Sequence, residues 1–158
     1  MLVEVKVGAL IMDPNSNNPI VVLKGVDNEA VLPIWVGAYE ANAIALEIEK
    51  IVPQRPMTHD LLRNFIAETG YQVEKVTVND LLENTFYAVI ELIDKNNQIL
   101  ILDARPSDAI ALALRTDCPI FVAQKVLELS SSATSFAEAE TASDESLKSN
   151  DEWPDLIG

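Results

Sequence analysis

The tetrapeptide Ala-Ile-Ala-Leu occurs twice, at residues 43–46 and at residues 109–112, an offset of 66 residues. At the same offset the apolar segment Ile34–Val36 aligns with Leu100–Leu102, so a strand pattern precedes a helix pattern in both places. Further short apolar runs upstream of each helix indicate additional strands. The sequence therefore predicts an α+β fold, in which a duplicated unit of two or three strands and a helix builds one mixed sheet with a few packed helices.

The chain divides by composition at residue 130. Residues 1–129 are predicted to form a single domain, long enough to bury one core. From Ser130 onward the sequence is rich in Ser, Ala, Thr, Glu and Asp and poor in apolar residues. Such a composition cannot bury enough apolar surface to fold alone, so residues 130–158 are predicted to be an acidic disordered tail.

The formal net charge of −14 limits the partners that the protein can bind. The last 29 residues contribute −6 and the remaining 129 residues −8, so the predicted domain is itself acidic. Most nucleic-acid-binding proteins present a broad basic surface to the phosphate backbone. Contact with nucleic acid is therefore expected to be local and weak.

The sequence indicates a cytoplasmic protein. Cys118 is the only cysteine, which excludes an internal disulfide and a thiolate metal cluster. The longest apolar stretches, such as Ala30–Val36, are far shorter than the ~18–20 residues of a membrane span, so no membrane partner is expected. The first residues alternate charged and apolar side chains and do not resemble a signal peptide.

Two predicted elements are specific enough to be checked directly. Pro33 lies in an apolar run that predicts a strand, and because proline has no N–H for a ladder, it is expected at a sheet edge or at a bulge. Thr58 is the predicted N-cap of a second helix. The buried stripe of that helix is expected to comprise Leu61, Leu62, Phe65 and Ile66. Residues 79–84 show no clear pattern.

Charges distinguish the second copy of the repeat from the first. Asp103, Arg105 and Asp108 follow the apolar run at the predicted strand–helix junction of the second copy. The corresponding residues of the first copy are uncharged: Gly37, Tyr39 and Asn42. Core packing explains why the scaffold is repeated, but it does not explain why one copy is ionic.

This junction has the chemistry of a phosphate or cation site. A helix N-terminus carries unpaired N–H groups and a partial positive charge, and the guanidinium of Arg105 suits phosphate or carboxylate. Asp103 and Asp108 offer the oxygen ligands that Mg²⁺ or Mn²⁺ prefers. A structural interpretation is also open, since Pro106 suits the first helical position and Asp108 stabilises the helix dipole without any ligand.

Four further residues are candidates for the same site. His59, the only histidine, could act as an acid, a base or a metal ligand, or could simply be exposed. Arg55, like Arg105, precedes a proline at a predicted helix start, and the sequence leaves open whether the two starts meet. Glu40 is a candidate acid or a first-turn capping residue. Ser107 is a candidate substrate-binding residue, although no histidine nearby in sequence supports a hydrolase triad.

Three ordered motifs, at residues 32–46, 55–62 and 103–115, resemble the bifunctional nuclease domain family. The resemblance covers about residues 1–129. It implies an α+β fold, action on both RNA and DNA, and self-association. It locates a site but assigns no roles to individual residues.

The leading hypothesis is a metal-assisted nuclease that hydrolyses phosphodiester bonds of RNA, DNA or both. In this hypothesis Asp103 and Asp108 bind a divalent cation, Arg105 binds the phosphate, and His59 is the acid or base if it lies within reach. The nucleic acid and further copies of the chain are the expected partners. The hypothesis predicts that EDTA abolishes cleavage.

Two alternatives belong to other functional classes. The protein could be a non-catalytic oligomeric binding or regulatory module, in which case the junction charges should be paired with each other or buried between subunits, leaving no open cleft. It could also bind a small anionic ligand, such as a nucleotide, at the helix N-terminus. The position of His59 relative to Asp103 and Asp108 is the observation that best separates these hypotheses.

Overall fold

The computed structural model describes the backbone of residues 1–141 and the side chains of residues 1–132. Within this part of the chain, seven strands and four helices follow one another. In chain order they are β1 (Leu2–Met12), β2 (Pro19–Gly25), β3 (Val31–Trp35), α1 (Ala38–Ile48), α2 (Thr58–Glu68), β4 (Tyr71–Leu82), β5 (Thr85–Asp94), β6 (Ile99–Ala104), α3 (Pro106–Thr116), β7 (Ile120–Ala123) and α4 (Gln124–Thr141).

All seven strands form one mixed sheet in the order β3-β2-β1-β7-β4-β5-β6. Two antiparallel three-stranded meanders, β1–β2–β3 and β4–β5–β6, lie on either side of β7. Each meander is followed by a helix, α1 or α3. The predicted α+β class and the order of elements in the two copies are therefore confirmed.

The last strand, β7, joins the two halves. It pairs antiparallel with β1 and parallel with β4. Since β4, β5 and β6 alternate in direction, β6 and β7 run parallel, and α3 is the crossover between them. The two copies thus share a continuous ladder as well as a common core.

The repeated tetrapeptides form the centre of that core. Residues 43–46 of α1 and residues 109–112 of α3 are all buried. The two helices pack against each other, and the alanines in both segments allow their backbones to approach closely. The core interpretation of the repeat is correct.

The edge strand β3 and the turn between β4 and β5 both have residues whose backbone suits these positions. Pro33 lies in β3, which is an edge strand, as predicted. Residues 79–84 complete β4 and turn into β5, with Glu83 and Asn84 between the paired residues Leu82 and Thr85. Both turn residues have positive φ, 49° and 61°, which a two-residue hairpin loop of type I′ requires.

Two expectations for α2 are wrong. The N-cap is Met57, one residue before Thr58, and the Asp60 carboxylate accepts the Met57 N–H at 2.9 Å. Leu61 and Phe65 are exposed, at 63% and 65%, although both were expected in the buried stripe. The buried face is rotated around the helix because Asp60 occupies it together with Ile66.

The described part of the chain contains no helix that is long and apolar enough to cross a membrane. The predicted acidic tail, residues 130–158, overlaps the end of α4, which extends to Thr141. The rest of that predicted tail lies outside the described residues.

A buried ion pair explains the orientation of α2. Arg115, at the end of α3, donates from Nε to Asp60 Oδ1 at 2.8 Å, with Glu47 at 3.9 Å. It also donates to the carbonyl oxygens of Ala111 and Ala43 at 2.8 and 3.0 Å. One guanidinium therefore joins α1, α2 and α3.

The pKa of Asp60 reflects this environment. Burial raises the pKa of the carboxyl, but the hydrogen bonds from the Met57 N–H and from Arg115 lower it by more, so it lies below its ordinary value. Asp60 therefore stabilises the fold at pH values above its ordinary pKa of about 3.9. That contribution is lost as the pH falls through the lowered pKa.

Asp60→Asn should reduce the free energy of unfolding at pH 7 by about 3–5 kcal/mol, because it leaves the buried charge of Arg115 uncompensated. Urea unfolding followed by circular dichroism measures the loss, and the exposed Asp27→Asn serves as the matched control. The difference in the free energy of unfolding between the parent and Asp60→Asn should become smaller below about pH 4, where Asp60 becomes protonated. Removing both charges, with Asp60→Leu and Arg115→Met, should recover part of the loss; an equal or larger loss would contradict the account.

Candidate active site

The site is built at the N-terminus of α3. The edge strand β6 ends at Ala104, and Arg105 is the N-cap, with extended backbone angles φ −70° and ψ 145°. Pro106 occupies the first helical position and Asp108 lies in the first turn, as the sequence predicts. Because the helix that follows is buried, the two charged side chains project from a rigid base.

Arg105 connects the two copies of the repeat. Its Nε donates to Asp108 Oδ2 at 2.9 Å, within its own helix turn. Its Nη2 donates to Glu40 Oε1 at 2.8 Å, in the first turn of α1, and lies 3.3 Å from Asp108 Oδ1. The two carboxylates raise the pKa of the Arg105 guanidinium. Glu40, from the first copy, and Asp108, from the second, therefore orient one cation.

His59 belongs to the same network. Its Nε2 lies 2.9 Å from Asp108 Oδ1, and its side chain is only 13% exposed. The two residues are 49 positions apart in sequence, and α2 brings them together because the adjacent Asp60 is fixed by Arg115. The structure thus places the histidine within direct reach of Asp108.

The protonation of this pair follows from the acid. Burial raises the pKa of Asp108, but Arg105 and His59 lower it by more, so it lies below its ordinary value and the group is ionised at neutral pH. An ionised carboxylate can only accept hydrogen bonds, so Nε2 of His59 must carry the hydrogen. In a neutral imidazole Nδ1 then holds the lone pair. Within the described residues, Nδ1 has no hydrogen-bond partner.

The network faces an open cleft of about 680 Å³. Its lining combines the charged or polar residues Glu40, His59, Arg105 and Asp108 with apolar residues such as Leu62, Ile90 and Leu102. A volume of this size is typical of small-molecule sites. The junction charges are therefore paired with each other, as the binding-module hypothesis predicts. They also border an open cleft, which that hypothesis did not predict and which a nuclease needs to admit its substrate.

The remaining candidates lie elsewhere or make no contact with the network. Asp103 lines the cleft on the edge strand, but the described part of the chain shows no hydrogen bond or ion pair between it and Asp108. Arg55 is exposed before α2 and does not line the cleft, so the two Arg-Pro segments do not share it. Ser107 is buried and lines a neighbouring cavity.

The sequence reasoning missed Asp60 and Arg115, which position the site without lying in the hydrogen-bond network. One signal was available for Arg115, a charge at the end of a helix whose other residues are almost all apolar. No comparable signal marks Asp60, because an aspartate in the first turn of a helix is usually explained by its interaction with the helix dipole. Their pairing spans 55 positions and is invisible in sequence.

A family model described as the bifunctional nuclease domain matches residues 21–135. An uncharacterized protein of Mycobacterium tuberculosis (strain ATCC 25618 / H37Rv) is 43% identical over 124 residues, which cover 78% of this chain and 73% of that protein.

Two plant proteins also match. Bifunctional nuclease 2 of Oryza sativa subsp. japonica is 30% identical over 107 residues, covering 66% of this chain. Bifunctional nuclease 1 of Arabidopsis thaliana is 29% identical over 108 residues, also covering 66%. In both cases the match spans 33% of the plant protein.

Arg105→Ala should change the free energy of unfolding by less than about 1 kcal/mol, because the side chain is 66% exposed and solvent screens its ion pairs. Thermal unfolding measures the change, and Lys125→Ala, which removes a comparably exposed pair with Asp80, is the matched control. A loss as large as that expected for Asp60→Asn would identify the Arg105 network as a structural element.

Proposed function

The chain belongs to the bifunctional nuclease domain family, and from that premise we propose that it is a nuclease that hydrolyses phosphodiester bonds of RNA, DNA or both. The observation that carries the proposal is the network of His59, Asp108, Arg105 and Glu40 beside an open cleft. The plant relatives are called bifunctional nucleases, and that name supports the same reaction here.

Arg105 is the proposed phosphate-binding residue. Its Nε and Nη2 are held by Asp108 and Glu40, which fixes the plane of the guanidinium. The two N–H groups of Nη1 have no partner within the described residues, so they can donate hydrogen bonds to one more anion. A guanidinium oriented in advance binds a phosphate oxygen at a smaller entropic cost than a free one.

His59 is the proposed acid–base residue. With Nε2 bonded to the Asp108 carboxylate, the lone pair of Nδ1 can accept the proton of an attacking oxygen, either from water or from a ribose 2′-hydroxyl. The resulting imidazolium is stabilised by the carboxylate beside it. Attack forms a bond from that oxygen to phosphorus while the bond between phosphorus and the leaving oxygen breaks. The leaving oxygen takes a proton from water, and the imidazolium returns its proton to water. Arg105 stabilises the charge that develops on the phosphate.

A divalent cation at Asp103 and Asp108 stays a prediction of the sequence. The arrangement of the residues does not favour it, because both oxygens of Asp108 already accept hydrogen bonds from Arg105 and His59. Among the described residues, no group of three or more His, Cys, Asp or Glu side chains is arranged to hold a metal ion. The proposed roles of His59 and Arg105 do not depend on the cation.

EDTA separates the two possibilities in one assay. Cleavage that is lost in EDTA and restored by Mg²⁺ or Mn²⁺ would support the cation that the sequence predicts. Cleavage that persists in EDTA would assign the reaction to the side chains of the network alone.

A non-catalytic binding module is the second candidate, and one observation favours it. The positive charge of Arg105 is already paired with the carboxylates of Asp108 and Glu40, so it needs no substrate to balance it. A module of this kind would bind a single strand or a small phosphate-bearing ligand in the cleft without turnover. Binding that is lost with Arg105→Ala, in protein that never cleaves, would support this candidate.

His59→Ala should lower the rate of cleavage of single-stranded RNA or DNA by about 100- to 10,000-fold, the usual loss when an acid–base residue is removed. Arg105→Ala should lower kcat/KM as well. Lys95→Ala, which removes an exposed positive charge in the turn between β5 and β6, is the matched control and should retain the parent rate. The measurement is release of labelled fragments by protein purified identically for every variant.

Cleavage by a contaminating nuclease would proceed at the same rate with every variant. If His59→Ala and Arg105→Ala both cleave at the parent rate, the activity does not come from this site, and that result would contradict the proposal.

We propose further that the protein is a homo-oligomer and that it acts in the cytoplasm. Self-association is supported by β6, an edge strand whose outer side pairs with no other strand in residues 1–141 and whose apolar residues are exposed. The exposed residues are Ile99, Leu100, Ile101 and Leu102. Antiparallel pairing of β6 with β6 of a second copy would cover them around a two-fold axis.

Ile101→Lys should shift the mass in solution toward the 17.3 kDa of one chain, because a buried lysine opposes pairing at that edge. Size-exclusion chromatography with light scattering gives the mass. Val31→Lys places the same charge on the opposite edge strand, β3, and should leave the mass unchanged. Dissociation by Val31→Lys alone would assign the interface to β3.

A further inference from the structure

A second cavity, of about 300 Å³, adjoins the proposed site and shares Arg105 with the cleft. It lies where the ends of the two edge strands approach each other, since residues 34–37 at the end of β3 and residues 105–107 after β6 both line it. Asn84, in the turn between β4 and β5, and Thr85 and Phe86, at the start of β5, also line it. Its volume is at the lower end of ligand pockets, which suits one flat ring system.

Two aromatic residues, Trp35 and Phe86, line this cavity, and Trp35 is the more exposed of them. It ends the edge strand β3 and is 54% exposed. Its Nε1–H donates to Asp13 Oδ2 at 3.0 Å, and Asp13 is itself held by the Asn15 N–H and the Ser16 hydroxyl. An exposed indole with a fixed orientation loses little conformational freedom when a ring stacks on it.

The charge around the cavity also differs from that of the cleft. Arg105 is the only charged residue among those that line it, whereas Glu40, Asp103 and Asp108 all line the cleft. In a protein with a net charge of −14, this cavity therefore offers an aromatic ring and a guanidinium without a lining carboxylate. Aromatic rings beside a cationic path are the usual means of binding single-stranded nucleic acid.

We propose that this cavity is a subsite for an unpaired nucleobase, which stacks on Trp35 while the adjacent phosphate of the same strand is bound by Arg105. The inference rests on the proposed function, because it takes the phosphate position from it. It adds a base-binding subsite, and with it a physical reason for a single strand of RNA or DNA as the substrate class. A base in a duplex is already paired and stacked, so it cannot enter the cavity.

Binding is the readout that tests this subsite independently of cleavage. A full-length His59→Ala protein is titrated into a short, end-labelled oligothymidylate, and fluorescence anisotropy reports the affinity. Trp35→Leu in that background should weaken binding by about 5- to 150-fold, the usual effect of removing one stacking ring. Trp35→Phe keeps an aromatic face and should restore most of the affinity. Val31→Lys changes an exposed residue of the same edge strand outside the cavity, so it should not weaken binding in this way.

Tryptophan emission supplies the direct signature of stacking. Trp153 is the only other tryptophan, so Trp153→Phe leaves Trp35 as the single reporter. The oligothymidylate should quench its emission, while an abasic strand of equal length and a duplex should not. Equal affinity of Trp35→Leu and its parent, or equal quenching by the abasic strand, would overturn the subsite.

The two failures are distinguishable. Loss of the stacking effects with normal cleavage would overturn the subsite and leave the proposed function in place. Stacking effects in a protein whose cleavage does not depend on His59 would keep the subsite and overturn the proposed reaction.

Discussion

The arrangement of the site depends on the ion pair between Arg115 and Asp60. A charge in the interior is costly unless it is paired and its donors are satisfied, and Arg115 meets this requirement with Asp60 and the carbonyl oxygens of Ala43 and Ala111. The partners belong to three helices, so the geometry that satisfies the charge also fixes how those helices meet. Because Arg115 fixes Asp60, the adjacent His59 is held within hydrogen-bond distance of Asp108.

The site uses the duplicated scaffold unequally. The second copy supplies Arg105 and Asp108, the first copy supplies Glu40, and α2, which lies between the copies, supplies His59. The first-copy residues that correspond to Asp103, Arg105 and Asp108 are uncharged, and one of them, Gly37, lines the proposed base subsite instead. Each of the two strand–helix junctions thus contributes residues to the proposed site. At such a site an acidic protein would contact a polyanion through one guanidinium and one ring.

The features predicted from sequence were those with a local physical cause. The alanine-rich repeat required burial, Pro33 required an edge strand, and Pro106 required a helix start, and the structure has all three. The buried face of α2 was predicted wrongly because apolar periodicity favoured Leu61 and Phe65, whereas a buried charge pair decided the rotation of the helix. The contacts that bring His59 and Glu40 into the site join residues 49 and 65 positions apart, and no pattern in one sequence encodes such pairings. Candidate residues could therefore be named in advance, but their grouping could not.

The central claim is that His59 and Asp108 act as one unit on a phosphodiester, and a double-mutant cycle tests it most directly. Cleavage of a single strand is measured as kcat/KM for the parent, His59→Ala, Asp108→Asn and the double variant. If the carboxylate works through the imidazole, the double variant should be about as slow as the slower single variant, because residues that act together are strongly non-additive. Losses that multiply, or a single variant that retains the parent rate, would contradict the account.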